Sequence, residues 1–469
     1  NGAIVGGTVN GTSDNGSGIK VDGDSELDKA MLNGNSPDGK GIEIAANLTG
    51  NHGSAVHGET TDGTGVDIGS NATLTGGRAD DLLVVTGDAS GYTGIGVQLD
   101  GNNTLDNITL AGNATDGVGI DIDGPLINKS NSTIDGKATD GDGIELNGAI
   151  VGGTVNGTSN IGSGIYVDGD SELDNTTLNG NSPDGKGIEI AANLTGNDGS
   201  AVYGETTDGT GVGIGPNATL IGGGVDDLLA VTGNASGDSG TGVQFDGNNT
   251  LDNTTLAGNA SDGHGVKITG PVSHTGNTTI NGNATGDGHG VHIDGPMSGG
   301  LVNGNSANNH GVFLTAGAAV TDIKLGGVAN LGKPLMFVAL PESIGSNVTI
   351  NGKTFDKYSI GVSLLPASAS ASASASASAA YGGKTISKQI TQPQEESKLG
   401  SLLIKRNQIL SSLGEQILPP PVVTESERDI AANISIAVCI PKGGATERGS
   451  CDTHILGKWK PLTKISGQE

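Results

Sequence analysis

The sequence predicts an all-β protein, a right-handed parallel β-helix, followed by a small C-terminal tail containing a helix. A short segment carries this reading first: Gly, then Ile or Val, then any residue, then Ile, Val, Leu or Phe, recurring about every 23 residues. Next comes a second marker, an aliphatic residue two positions before a glycine, as in Val9-Asn10-Gly11, Leu110-Ala111-Gly112, Leu178-Asn179-Gly180 and Ile280-Asn281-Gly282. The third observation is compositional. With 85 glycines, 33% hydrophobic residues and 2% aromatics in 469 residues, a layered globular core would be underfilled, so the aliphatic side chains must be used in thin repeated slices.

The first marker has its glycine at 18, 41, 65, 96, 119, 143, 164, 187, 211, 242, 265, 290 and 311. The spacings run 23, 24, 31, 23, 24, 21 and then 23, 24, 31, 23, 25, 21, so a small repeat is nested in a large one of 146. NGAIVGGTVNGTS begins at Asn1 and again at Asn147. Both markers alternate with period two and are punctuated by Asp-Gly, Asn-Gly and Gly-Asn pairs, which is the pattern of short strands joined by turns. A unit of this size is too short for a four-stranded propeller blade and lacks the dense leucines of leucine-rich repeats. One unit per coil of a β-helix remains, with thirteen coils and a rod of roughly 60 Å at the usual strand separation. In Gly119-Ile120-Asp121-Ile122 the isoleucines point into the bore and Asp121 points out.

The outward residues of these segments, in order, are Lys20, Glu43, Asp67, Gln98, Asp121, Glu145, Tyr166, Glu189, Gly213, Gln244, Lys267, His292 and Phe313. In-register stacking sets Glu43 over Asp67 and Asp121 over Glu145, a stripe that repels itself unless water, salt or cations intervene. The two 31-residue spacings mark a protruding loop or an extra turn beside Asp80-Asp81-Leu82-Leu83 and Asp226-Asp227-Leu228-Leu229.

Four regions follow: β-helix repeats at 1–318, terminal coils or a cap at 319–365, an Ala-Ser linker at 366–380, and a tail at 381–469. Met336, Phe337, Phe355 and Tyr358 suit the last irregular coils or a cap. In the tail, Leu399, Leu402, Leu403, Ile409, Leu410, Leu413, Ile417 and Leu418 fall largely at helical spacing before Pro419-Pro420-Pro421. The chain starts at Asn1 in mid-pattern, as expected of a fragment.

The net charge of -28 sits in the repeats: residues 1–366 hold 42 acidic against 12 basic side chains, the remainder 9 against 11. An acidic shaft argues against nucleic acid or an anionic membrane as direct partner. No apolar run is long enough for a transmembrane helix. Cys439 and Cys451 read as a metal half-site or chance pair in a cytosolic protein, and as one small disulfide loop in a secreted one.

Residues 1 to 330, in coils rich in Gly, Asn, Thr and Asp, resemble the repetitive shaft of two-partner-secretion exoproteins, the class of filamentous haemagglutinins and high-molecular-weight adhesins. The resemblance implies a secreted protein at the bacterial cell surface that attaches to a host receptor or glycan. It also implies that Cys439 and Cys451 close a loop anchoring the tail at an outer-membrane transporter. Sugars on Asn-x-Ser/Thr are a further implication, with Asn47, Asn71, Asn107, Asn113, Asn193, Asn217, Asn234, Asn259 and Asn283 as candidate acceptors. The N-terminal secretion domain of that family does not lie in this sequence. A purely structural stalk or self-associating matrix protein is the alternative.

An enzyme is not expected. A β-helix lyase needs a strong base beside a bound cation, yet Arg78 is the only arginine before position 400. A glycosidase needs two carboxylates across a cleft, and Asp80-Asp81 reads as a solvated loop with capping roles. Asp22, Asp24 and Glu26, with their copies Asp168, Asp170 and Glu172, alternate as calcium ligands do but lack the rest of an EF-hand loop; they are the candidate Ca2+ ligands. His52, His57, His264, His289, His292 and His310 look scattered, and read as outward or turn residues rather than zinc ligands.

Overall fold

A computed structural model describes residues 2–78, 81–129, 131–315, 317–337 and 345–351, together with the backbone of Lys353–Phe355, Ala375–Tyr381, Lys384–Ile390, Ala437–Pro441 and Cys451–Ile455. Among the described residues every element is a strand. The chain winds as a parallel β-solenoid. One 14-stranded ladder, here the glycine ladder, holds Ser17–Val21, Lys40–Ile44, Thr64–Ile68, Ile95–Asp100, Val118–Asp123, Ile144–Asn147 and their successors to Leu335–Phe337. The last member carries no Gly-aliphatic marker, so the solenoid has one coil more than the thirteen expected; Met336 and Phe337 pair with Phe313 and Leu314 as an ordinary rung.

The second sheet has 26 strands in two ranks. A short rank includes Leu48–Asn51, Thr73–Gly76 and Asn103–Asp106; an amide rank includes Ala55–Thr60, Leu83–Ala89 and Ile108–Ala114. In Gly2–Thr12, Ser25–Asn35, Ala149–Thr158 and Ser171–Asn181 the two ranks form one strand, kinked where Gly6-Gly7, Lys29, Gly152-Gly153 and Asn175 take positive φ. At these corners Ser54, Ser132 and Ser200 accept hydrogen bonds from the N–H groups of Ala30, Ile108 and Thr176 in the preceding coil, so the break leaves no orphan donor.

The bore is mainly aliphatic. Ile120, Ile122, Leu126 and Ile134 are inward side chains of one coil, each at most 1% exposed, and Asn128 of the same coil is buried beside them at 3%. Both sequence markers have one physical cause. The glycine of the amide rank points inward, where the carbonyl oxygen of the glycine-ladder glycine meets it; a methyl group on Gly112 would overlap the carbonyl of Gly119. Turns between these ranks close on Ser or Thr: the N–H groups of Gly39, Gly63, Gly185 and Gly209 donate to Ser36, Thr60, Ser182 and Thr206 at 2.9–3.1 Å.

The 31-residue units make loops, not an extra turn. Arg78 bridges Asp81 and Gly224 bridges Asp227 in the two copies. The Asp81 carboxylate accepts the N–H groups of His52 (2.6 Å) and Gly53 (2.7 Å), and Asp227 those of Asp198 (2.8 Å) and Gly199 (2.9 Å). These are capping roles. Asp80 and the tail helix expected near 399–418 lie outside the described residues. At the C-terminal end Lys353–Phe355 runs antiparallel to Val348–Ile350, while Ala375–Tyr381 pairs antiparallel with Lys384–Ile390.

Candidate functional site

Among the described residues, charged and aromatic side chains converge over many coils on the outward face of the glycine ladder. Register follows expectation: Glu43 stands opposite Asp67, Asp121 opposite Glu145, and His292 opposite Phe313. The stripe is wider than the alternation predicts. Pairing joins Ile95 to Val118 and Val97 to Ile120 but skips Gly96, whose Cα faces the amide rank. The residue before each glycine is thereby turned outward beside the expected one, and the residue two after it completes a third column. Lys40, Asp142, Lys186, His264, His289 and His310 belong to this face for that reason.

Near the N-terminal end the face is neutralised. Lys40 Nζ lies 2.7 Å from the buried Asp67 carboxylate and 3.9 Å from Glu43, which Lys20 also reaches at 3.2 Å. Ser17 donates to Glu43 at 2.6 Å. The repulsion expected between Glu43 and Asp67 is thus relieved by lysine, not by water alone.

The middle coils are different. Burial first, then the carboxylates of Asp123, Asp100 and Asp168, push the Asp121 carboxyl up to about 6. Asp121 is therefore half-buried among like charges rather than freely solvated. Burial and a hydrogen bond with Asp168 raise Glu145 well above the ordinary carboxylate range. Burial also raises Asp142, against the opposing N–H of Ser163, which donates at 2.6 Å. Lys186, paired with Glu189, closes the stretch.

In the last coils the face becomes imidazole. The histidines are not scattered: the solenoid stacks His264 on His289 (ring centroids 5.2 Å), sets His292 edge-on to His264 (4.7 Å), and packs Phe313 on His289 (4.2 Å) and His310 on His289 (5.2 Å). Spacings of 25, 3 and 21 residues hid this in the sequence: the two long steps land on the same face one coil further on, while His289 and His292 flank Gly290 within one coil. Burial holds His264 and His310 down to about 4 and His289 to about 2, and lowers His292 as well. His52 and His57 sit apart from this group, against Asp28 at 2.6 Å and against Glu59 at 3.1 Å.

Among the described residues no group of three or more His, Cys, Asp or Glu side chains is arranged to hold a metal ion. The carboxylates weighed for calcium reach instead to the next coil. Asp24 and Asp170 accept the N–H groups of Asn47 and Asn193 at 3.3 and 3.2 Å, and Glu26 and Glu172 accept the amides of Asn51 and Asn197 at 3.0 and 2.7 Å. Asp22 follows Val21 on the outward face, and Asp168 serves Glu145.

The asparagines fall into two sets. Asn47, Asn71, Asn193 and Asn217 are exposed, whereas Asn107, Asn113, Asn234, Asn259 and Asn283 are half-buried. In the second set the Asn113 amide donates to Asp88 (2.7 Å) and that of Asn259 to Asn234 (2.9 Å), while Asn283 accepts from Asn305 (2.8 Å). The tail strands pair Cys439 with Thr453 and Pro441 with Cys451; the cysteine side chains lie outside the described residues.

Fold and surface together define a β-solenoid repeat protein with one long, chemically zoned face. No family model, no curated protein and no solved structure matches the chain. No helix among the described residues is long and apolar enough to cross a membrane.

Proposed function

We propose that this chain is the non-catalytic shaft of a secreted bacterial surface adhesin of the two-partner type, attaching the cell to host or bacterial surfaces through its long outward face. The observation that supports this reading is the fourteen-rung glycine ladder, which repeats one cross-section and so presents a continuous surface instead of a single enclosed pocket. Multivalent attachment suits such a surface, since weak contacts repeated along a rod add through effective concentration. Its acidic middle coils and imidazole-rich last coils supply polar donors and acceptors for a glycan or receptor. In this reading the tail engages an outer-membrane transporter through Cys439 and Cys451.

Beads coated with the chain are the test, scored for attachment to epithelial and bacterial cells against beads coated with an unrelated solenoid. Attachment above that control, and loss of it when soluble chain is added, is the expected result. Equal attachment would leave a stalk without a receptor site of its own.

A further inference from the structure

We propose that the outward face of the glycine ladder docks antiparallel on the same face of a second copy of this chain, the carboxylates of the middle coils meeting the imidazoles and lysines of the last coils. The super-repeat sets up this match. Six rungs beyond Asp121, Asp142 and Glu145, at equivalent positions of the second super-repeat, stand Lys267, His289 and His292. Three acids are thus answered by a lysine and two imidazoles. His264 and His310 extend the second patch, and the Lys333 N–H donates to His310 Nδ1 (3.0 Å) in the next rung. Two patches of opposite character lie on one face, about 29 Å apart along the rod.

Neither patch is neutralised from within. Lys40 pairs with Asp67 and Lys186 with Glu189, but among the described residues Lys267 and Lys333 meet no carboxylate. Burial and then Asp123, Asp100 and Asp168 raise the Asp121 carboxyl. Burial, then His292 and Lys267, hold His264 down, and burial and Lys333 do the same at His310. Each patch therefore gathers groups that a partner of the other kind would relieve.

Geometry selects the register. Rungs are counted from Ser17–Val21, and a two-fold axis is laid along the ninth, Thr210–Ile214. The sixth rung then faces the twelfth and the seventh faces the eleventh, each outward column on itself. Asp142 stands opposite His289, Glu145 opposite His292, and Tyr166 opposite Lys267 with Asp168 beside it. Among the described residues no two like charges stand opposite each other. On the axis Gly213 faces its own copy, at the position where the first super-repeat has Asp67; a carboxylate there would meet itself. Eleven rungs overlap, a surface of about 53 Å by 16 Å, or on the order of 850 Å² per partner, the size of a standard specific interface. A parallel pairing offset by six rungs also sets acids on imidazoles, but it uses one patch per partner and continues as a fibre, whereas the antiparallel dimer uses both patches and closes. The pairing is a property of the chain alone and stands apart from attachment to other receptors.

Sedimentation velocity of the full chain is the test, with reductant present so that Cys439 and Cys451 cannot link chains. A monomer–dimer equilibrium is expected, weakening roughly tenfold from low to high salt. Asp121→Lys with Glu145→Lys makes both patches basic, and Lys267→Glu with Lys333→Glu makes both acidic. Each double variant, with the circular dichroism of the parent, should stay monomeric alone, and the two mixed should dimerise. A monomeric parent, dimers of either variant alone, or no association in the mixture overturns the proposal. Cross-linking fixes the direction without any charge change. In a chain carrying Cys439→Ser and Cys451→Ser, Thr210→Cys should oxidise to a linked dimer and Lys20→Cys should not, because the first rung lies beyond the overlap. Linkage through Lys20→Cys but not through Thr210→Cys overturns the antiparallel register.

Discussion

The Nδ1 of His292 stands 3.1 Å from the Nε2 of His264 in the preceding coil, and the backbone fixes the direction of that hydrogen bond. The His289 N–H donates to His264 Nδ1 at 3.2 Å, so the His264 proton sits on Nε2 and is donated to His292. A second proton on either ring has no acceptor there.

Acid should therefore loosen the last coils. His264, His289 and His310 titrate at about 4, 2 and 4 in the folded chain, against 6.5 ordinarily. The unfolded state binds more protons below 6.5, so their contribution is complete above that pH and is lost as pH falls toward 4. One such histidine is worth on the order of 2–3 kcal/mol by pH 4. Lys267 and Lys333 oppose protonation further, and Asp294 favours it at His292. Protection factors at Val291–Ile293 and Val312–Leu314, taken against the intrinsic exchange rate at each pH, should fall between pH 7 and 4.5; unchanged protection factors would contradict the buried neutral column.

The middle coils should respond with the opposite sign. Asp121 has a folded value near 6, above its ordinary 3.8, so the folded state binds the extra proton and stability rises as pH falls from 7 toward 4. Asp121→Asn should stabilise the chain at pH 7.5 by about 1–2 kcal/mol, and less at pH 4.5. Thermal melts at the two pH values check this; an equal shift at both would show that repulsion is not the cause.

How far the sequence could carry this account depends on which glycine one considers. Gly119 and Gly112 each announced a strand and a bore-facing aliphatic, and the ladders and the register of Asp121 on Glu145 followed from period-two alternation alone. What alternation could not supply was the inward turn of Gly119 itself, which depends on the amide rank behind it. For that reason Lys40 beside Asp67, and His289 beside His292, were not recognisable as neighbours. The fourteenth coil carries no such signal, because Pro334-Leu335 replaces its marker.

Bore and surface positions should separate cleanly. Ile120 is fully buried, so Ile120→Asp places an unpaired carboxylate among aliphatics and should cost roughly 4 kcal/mol or more. Ile127, 43% exposed, is the control. Urea titration should find Ile127→Asp within about 1 kcal/mol of the parent; similar losses in both would mean the faces are misassigned.

Glycine contacts give a second discriminating pair. Gly112→Ala forces a methyl group onto the Gly119 carbonyl and should destabilise by roughly 3 kcal/mol. Gly224→Ala meets nothing within 4 Å and should change little. Melting temperatures of the two variants decide whether the rank-to-rank glycine contact is as tight as described.

Deleting Asn147–Ile293 tests the solenoid most directly, because it joins Leu146 to Asp294 at equivalent points of the repeat and removes six rungs of the glycine ladder. Small-angle scattering of the parent and the deletion should show the rod shortened by about 29 Å with an unchanged cross-sectional radius. A deletion that fails to fold, or one whose cross-section changes while its length does not, would contradict a rod built coil on coil.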